Sequence, residues 1–458
     1  MSDKKPLVHV IGAGLAGCEA ALAAVRQGAS VVLHEMKPEK YTPAHHAPSF
    51  AELVCSNSLR SDARTNAVGL LKEEMRRLHS VVLEAADATR VPAGSALAVD
   101  RVLFSDYVTR AVKNCPDIRV EPGEVKELPR DEITVVATGP LTSDGLASYL
   151  SGELGLAGLH FFDAAAPIVD GASLDYDIVY AASRWDRGDA DYLNCPMNEV
   201  QYRAFYEALL SAKEAPLHDF DSDSQKDLTV FEGCMPVEVM ARRGYDTLRF
   251  GPMKPVGLRD PRTGREAYAV VQLRKENAKG SMYNLVGFQT HLTFPEQRRV
   301  FGLIPGLENA EFLRYGVMHR NTYLSSPGVL SPTYRLLKRD GAPLYFAGQM
   351  TGVEGYVESA GSGLVAGTNA GRLAAGLEEY VFPDSTMLGA MAYYVSRGTT
   401  GPFQPMNANF GIIAPLDRKV KGGKNARNEA YACRALEQME KIRAELEPSG
   451  EGTHGEPD

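Results

Sequence analysis

The chain begins with two short apolar runs separated by a glycine-rich turn and an alanine-rich helical pattern. The first run, Pro6–Ile11, leads into Gly12-Ala13-Gly14-Leu15-Ala16-Gly17, and the helical pattern then continues to about Gln27. The second run, Ala29–His34, ends at Glu35. This order predicts a buried strand, a tight turn, a helix and a second strand, which is the start of an α/β unit with a parallel sheet.

The turn between the first strand and the helix has the spacing of a dinucleotide-binding loop. Gly12 allows the turn, Gly14 lets the backbone approach a pyrophosphate, and Gly17 lets the helix pack closely on the strand. The helix supplies free N–H groups and a positive dipole end, and Glu35 is placed to bind ribose hydroxyls. A glycine turn without a ligand is the alternative. The predicted cofactor site therefore contains Gly12, Ala13, Gly14, Leu15, Ala16, Gly17 and Glu35.

Two later segments repeat the combination of an apolar strand and glycine. Ile133–Ala137 is followed by Thr138-Gly139-Pro140, and Pro343–Ala347 leads into Gly348-Gln349 and a small-residue helical pattern. These pieces lie far apart, so we expect the carboxyl part of the chain to return and complete one nucleotide-binding domain. Gly139, Gly348 and Gln349 would then lie at strand ends of that domain.

The interval from about Asn194 to Asn321 differs from the preceding segments in its amino-acid composition. Its mixture of Val, Phe, Tyr, Gly and several prolines predicts an antiparallel sheet with helices and a core of its own. We predict an α/β protein in which a Rossmann-like domain contains an inserted α+β domain. The expected boundaries are 1–193 and 322–447 for the two parts of the nucleotide-binding domain, 194–321 for the insertion, and 448–458 for a disordered tail.

Composition and charge narrow the class of protein. The chain has 458 residues, 44% of them hydrophobic, and a formal net charge of −9. It has no apolar run long enough to span a membrane and no secretory signal at its start, so we expect a cytoplasmic protein without a membrane partner. The negative net charge excludes a protein whose whole surface is basic and binds nucleic acid. The segment 418–427 nevertheless has five basic residues in ten. That segment is either a phosphate-following loop or an ordinary solvated surface.

The cysteines indicate neither a disulfide framework nor a zinc site. Six of them, at positions 18, 55, 115, 195, 234 and 433, are scattered without close pairing. Cys55 precedes Ser-Asn-Ser and Cys234 lies between Gly233 and Met-Pro, so both belong to turn sequences. For any one of these cysteines, the alternative to a functional thiol is a small buried side chain that serves only packing. His45-His46 has no acid or cysteine at ligand spacing, and we predict no metal site.

Several motifs resemble those of flavoproteins that modify tRNA. The separated Rossmann pieces, with Ala-Thr-Gly after one strand and Ala-Gly-Gln after another, are similar to the FAD-binding fold of the glutathione-reductase type. This resemblance implies that Gly139, Gly348 and Gln349 also belong to the cofactor site. More specifically, the chain resembles the TrmFO family of folate- and FAD-dependent tRNA uracil C5-methyltransferases over nearly its whole length. The segments that carry the resemblance are Glu52–Ser61, Tyr192–Met197, Phe231–Glu238, Tyr345–Ala360 and Phe403–Gly411.

The resemblance implies methylation of the T-loop uridine of tRNA at C5. It implies FAD as cofactor, methylenetetrahydrofolate as one-carbon donor and NAD(P)H as reductant, and it indicates no obligate protein partner. Uracil C5 is barely nucleophilic until a thiolate adds at C6, so the reaction needs a cysteine. The resemblance gives that role to Cys234 and makes Cys55 the second catalytic thiol. His291 and Tyr356 are the predicted stacking partners of the pterin.

Three other functions stay open. A related branch of flavoproteins modifies the wobble uridine of tRNA and has a long carboxyl extension that this sequence lacks. A small-molecule flavin oxidoreductase would be expected to have a redox-active cysteine pair, and the sequence has no CxxC motif. A flavin-stabilised RNA-binding module without catalysis would be expected to lack Cys55 or Cys234, and both are present.

Overall fold

The computed structural model describes residues 5–42, 44–152, 155–156, 158–164, 166–186, 189–215, 235–277, 279–316, 318–397, 403–418 and 420–447. The predicted tail, 448–458, lies outside the described residues. The helices are α1 (Leu15–Arg26), α2 (Ala67–Arg77), α3 (Val81–Ala88), α4 (Arg101–Lys113), α5 (Asp144–Gly152), α6 (Glu199–Leu210), α7 (Val237–Arg242), α8 (Thr247–Phe250), α9 (Phe294–Phe301), α10 (Tyr356–Ala374), α11 (Met387–Arg397) and α12 (Gly423–Leu446).

Within the described ranges, the strands form four sheets. They are β1 (Leu7–Ile11), β2 (Ser30–Glu35), β3 (Ser58–Ser61), β4 (Arg90–Val91), β5 (Ala96–Val99), β6 (Ile118–Pro122), β7 (Ile133–Val136), β8 (Gly158–Ala164), β9 (Ile168–Asp170), β10 (Tyr180–Ala181), β11 (Tyr192–Met197), β12 (Ala269–Lys275), β13 (Met282–Leu285), β14 (Phe312–Arg314), β15 (Met318–Leu324) and β16 (Leu344–Phe346). Two of the sheets are small and antiparallel: β3-β5-β4 and the pair β15-β8.

The first large sheet is parallel and has the strand order β16-β7-β1-β2-β6. Strand β1 lies at its centre, and its apolar residues Val8 and Val10 are fully buried. Strand β16 pairs with β7, with Leu344 opposite Thr134, although the two strands are about two hundred residues apart. The α/β fold class and the return of the carboxyl part of the chain are therefore confirmed.

The close contact of α1 with α10 holds this domain together. Gly363, Gly367 and Gly371 recur every four residues, so they lie on one face of α10. A Cβ atom built on Gly363 would lie 2.2 Å from the carbonyl oxygen of Ala16, and one on Gly367 would lie 2.2 Å from that of Ala20. The two helix backbones therefore approach each other at a distance that only glycine permits.

The second large sheet is antiparallel, in the order β10-β11-β12-β13-β9-β14. Helices α6 to α9 pack on it, and a separate hydrophobic core includes Tyr202, Phe205, Val271 and Phe301. The strands of this sheet come from Ile168 to Arg314, so it includes residues that precede Asn194. The predicted domain boundaries stay predictions.

None of the helices in the described ranges combines the length and the apolar character that a membrane crossing requires.

We predict that Gly367→Val destabilises the protein, by about 1–3 kcal/mol or more, because the new side chain would force α10 away from α1. Gly152→Val is the matched control, since a Cβ atom at Gly152 meets nothing within 4 Å. Chemical denaturation of both variants measures the difference. An equal loss of unfolding free energy in the two variants would contradict the close contact between α1 and α10.

Candidate active site

The glycine turn between β1 and α1 has the geometry that its sequence predicts. Gly12 has a φ of +99°, and its N–H donates to the carbonyl oxygen of His34 at 2.8 Å. A Cβ atom on Gly17 would lie 1.7 Å from the Gly12 carbonyl oxygen, whereas one on Gly14 would meet nothing within 4 Å. Gly17 therefore serves packing, and Gly14 leaves space for a ligand in front of α1.

Glu35 ends β2 directly beside this turn. Its carboxylate is buried, and one oxygen accepts a hydrogen bond of 2.8 Å from the N–H of Ala13. The other oxygen accepts one of 2.9 Å from the N–H of Lys37. The predicted ribose-binding acid thus also fixes the shape of the glycine turn.

One cleft brings together most of the predicted cofactor residues. It has an atom-free volume of about 1130 Å³, part of it open to solvent. The predicted residues that line it are Gly12, Ala13, Gly14, Leu15, Ala16, Glu35, Gly139, Gly348, Gln349 and Tyr356. The sequence prediction missed Lys37, Thr142 and Ser143, which also line the cleft. Their position shortly after strand ends, where ligands bind in open α/β sheets, could have identified them.

The loop that carries Cys55 lies at the edge of this cleft. The backbone N–H of Cys55 donates to the hydroxyl oxygen of Tyr356 at 2.7 Å, and that of Ser56 donates to the same oxygen at 3.3 Å. Tyr356 begins α10 and lines the cleft, and burial raises the pKa of its hydroxyl. A neutral hydroxyl therefore connects the cofactor cleft to the backbone of a predicted catalytic thiol.

Three arginines, Arg101, Arg274 and Arg314, hold the same loop, and we call them the arginine cluster. Arg101 of α4 donates to the carbonyl oxygens of Leu53 at 2.6 Å and of Cys55 at 3.3 Å. The other two come from the second large sheet. Arg314 donates to the carbonyl oxygen of Val54 at 2.5 Å, and Arg274 donates to the Asn57 side chain at 3.0 Å and the Ser56 hydroxyl at 2.7 Å.

One buried acid, Glu276, pairs with Arg101 of the cluster. Glu276 is 1% exposed and accepts from Arg101 at 2.5 Å. Burial alone would lower the pKa of Arg101, but the Glu276 carboxylate raises it above its usual range. Burial, and then the neighbouring charge of Arg101, lowers the pKa of Arg314. The sequence prediction missed these residues because no local motif marks them.

Cys234 lies outside the described residues, and the chain is described again from Met235. Three residues further on, the buried Glu238 accepts a hydrogen bond of 2.6 Å from the N–H of His291 and one of 2.9 Å from the Thr290 hydroxyl. Burial raises the pKa of Glu238 and lowers that of His291. His291 is not among the described residues that line the cleft, so its role toward the pterin stays a prediction.

Cys18, Cys195 and the described residues of the basic segment are not among the residues that line the cleft. Cys18 and Cys195 are fully buried, and burial raises the pKa of both thiols, as expected for packing residues. In the basic segment 418–427, Lys419 lies outside the described residues, and Lys424 and Arg427 are located at the start of α12. Among the described side chains, no group of three or more His, Cys, Asp or Glu residues is placed to hold a metal ion.

Comparison with known proteins identifies the family. The family model described as Glucose inhibited division protein A matches residues 7–378. A protein of Lacticaseibacillus paracasei, named Methylenetetrahydrofolate--tRNA-(uracil-5-)-methyltransferase TrmFO, is 58% identical, over 96% of this chain and 98% of its own. The chain belongs to the TrmFO family. A protein of Acetivibrio thermocellus with the same name is 58% identical over 94% of this chain and 97% of its own.

Solved structures agree on the fold. The structure of Aquifex aeolicus GidA in its form I crystal is similar to this chain with a TM-score of 0.70 and 18% sequence identity. The match covers 97% of this chain and 77% of that one. The predicted Rossmann-like fold is thus confirmed by a solved structure.

We predict that Arg101→Met destabilises the protein by about 3–5 kcal/mol, because Glu276 would stay buried without its partner. The double variant Arg101→Met/Glu276→Met should recover a large part of the loss, since it removes both charges. Denaturation of both variants and of Glu276→Met completes the double-mutant cycle. A double variant no more stable than Arg101→Met would contradict the buried pair.

Proposed function

We propose that this chain transfers a one-carbon unit from methylenetetrahydrofolate to C5 of a tRNA uridine. Relatives with this activity in their names match almost the whole chain at 58% identity. The observation in the structure that carries the proposal is the hydrogen bond between Cys55 and Tyr356, since Tyr356 lines the cofactor cleft. It holds the thiol-bearing loop beside the proposed cofactor cleft, where a thiol could act on a base that is presented to the cofactor.

The residues of the cleft fit FAD. Gly14 leaves open space in front of the N-terminus of α1, where free N–H groups can bind a pyrophosphate. Glu35 lies where ribose hydroxyls bind in this fold, and Gly348 and Gln349 line the cleft after β16. When bound, reduced FAD would carry the one-carbon unit between folate and uracil, with NAD(P)H as the proposed reductant.

The two thiols have separate proposed roles. Cys234 adds to uracil C6, which places negative charge on C5 and its carbonyl and makes C5 nucleophilic. C5 accepts the one-carbon unit at the oxidation level of formaldehyde, and a hydride equivalent that originates from NAD(P)H reduces this unit to the methyl group. The C5 proton leaves, and the bond from sulfur to C6 breaks to release the thiolate. Cys55 is proposed to take that proton. The proposed target is the T-loop uridine, and the proposed location is the cytoplasm, where tRNA is available.

The wobble-uridine alternative is not favoured. The relatives named TrmFO match at 58% identity and nearly full length, whereas the GidA structure is 18% identical and extends well beyond the match. No described contact favours a small-molecule oxidoreductase. Mass spectrometry of nucleosides from tRNA incubated with labelled methylenetetrahydrofolate and NAD(P)H tests the proposal. Labelled 5-methyluridine is the expected product, and its absence would contradict the proposal.

We predict that Gly14→Val yields colourless protein, because its side chain would occupy the space in front of α1 where the pyrophosphate binds. Its backbone, with φ −73° and ψ −172°, is one that valine adopts, so the fold should persist. The flavin absorbance measures cofactor content, and Gly152→Val is the control that should stay yellow. A stoichiometric flavin content in Gly14→Val would contradict the assignment of this turn.

We predict that Cys234→Ala keeps FAD and tRNA affinity but forms no covalent complex with tRNA containing 5-fluorouridine. Gel electrophoresis under denaturing conditions detects the complex. Cys433→Ala removes an exposed thiol elsewhere and should leave the complex unchanged. If Cys234→Ala still forms the complex, the nucleophile is another thiol, and Cys55→Ala then tests the next candidate.

A further inference from the structure

The ring of Phe250 at the end of α8 is 80% exposed, the largest fraction among the described large hydrophobic side chains. The short helix itself is firmly anchored, since Leu248 and Met253 on either side of Phe250 are completely buried in the second core. The N–H of Met253 donates to the carbonyl oxygen of Leu248 at 2.9 Å. The core therefore holds the backbone in place while the Phe250 ring faces outward.

Single exposed hydrophobic side chains are common on protein surfaces. Val200 on α6, which is 78% exposed, is one of them. Phe250 differs because it lines an open groove between α7 and α8, with an atom-free volume of about 1020 Å³. Met235, Met240 and Arg243 also line this groove. Met235 directly follows the proposed nucleophile, Cys234, in the sequence.

The groove lies in a basic stretch of the chain. Residues 242–259 include five basic residues and one acidic residue, in a chain with a net charge of −9. Arg249 pairs with Asp246, and Arg242 pairs with Glu214. Arg243 is exposed and lines the groove, as does Asp246, whose carboxylate pairs with Arg249. An exposed aromatic ring with an arginine beside it is complementary to a stacked base and its phosphate.

We propose that this groove binds a nucleotide of the tRNA that neighbours the target uridine, with its base stacked on Phe250 and its phosphate beside Arg243. The inference rests on the proposed function. An enzyme that acts on a base takes it out of its stack, and this exposes a face of the neighbouring base. The ring of Phe250 replaces the lost stacking partner, and Arg243 sets the position of the backbone.

The test measures the affinity of the FAD-loaded enzyme for an unmodified tRNA transcript. Phe250→Ala should weaken binding roughly tenfold or more, and Phe250→Trp should restore it, because either aromatic ring offers a stacking surface. Val200→Ala is the control for an equally exposed side chain and should bind like the wild type. The flavin absorbance should be the same in all four proteins, since no FAD-lining residue is changed.

The salt dependence of binding tests the phosphate contact separately. Arg243→Gln should reduce the slope of log affinity against log salt concentration by about one or less. Arg203→Gln removes an exposed arginine on α6 and should leave the slope unchanged. An unchanged slope in Arg243→Gln would overturn the assignment of this residue.

Three outcomes separate this inference from the proposed function. If the wild type methylates tRNA and Phe250→Ala binds tRNA with the affinity of the wild type, the proposed nucleotide binding in the groove is wrong and the proposed function stands. Failure of the wild type to methylate tRNA would contradict the proposed function, while a loss of tRNA affinity in Phe250→Ala would still support the groove. If Phe250→Ala changes the molar mass in light scattering but not the affinity, the groove is an interface between copies of the chain, and the inference fails.

Discussion

The close approach of α1 and α10 is the contact on which the candidate site depends. Helix α1 carries the glycine turn at its N-terminus, and α10 begins with Tyr356, so their packing sets the distance between the two ends of the cleft. Glycines at 363, 367 and 371 bring the backbones together at a spacing that larger residues would prevent. The carboxyl part of the chain thereby completes a site that the first thirty-five residues begin.

The Cys55 loop joins the two cores. Its backbone is held by Tyr356 from the nucleotide-binding domain, by Arg101 of α4 and by Arg314 of the second sheet. Arg274 of the same sheet holds the Ser56 and Asn57 side chains of the loop. A buried charge in this position is costly unless it is paired, and Glu276 supplies the pairing for Arg101. Movement of the second sheet would therefore displace the loop, so the position of one proposed catalytic thiol depends on how the two cores pack.

An acidic protein can still bind a polyanion if its cations are grouped. At ordinary ionic strength, charges more than about 8–10 Å apart are largely screened, so the local surface matters more than the net charge of −9. The groove beside Phe250 combines an exposed ring with Arg243, next to the residue that follows Cys234. The groove therefore combines an aromatic ring with a positive charge at one place, and the net charge of the whole chain does not reveal such a local surface.

The sequence by itself determined the strand, turn and helix at the amino end, including the distinct roles of Gly14 and Gly17. It could do so because a glycine spacing within six residues dictates local backbone geometry. It also indicated the return of β16, since an apolar strand before glycine has a local pattern. Only the tertiary structure joined Arg101, Arg274 and Arg314 at the Cys55 loop, placed His291 against Glu238, and left Phe250 exposed. The arginine contacts depend on how the second sheet packs beside the Cys55 loop. The bond between His291 and Glu238 and the exposure of Phe250 depend on how α7 and α8 pack on the second core. Residues from separate strands and helices decide all of these features, so no local pattern encodes them.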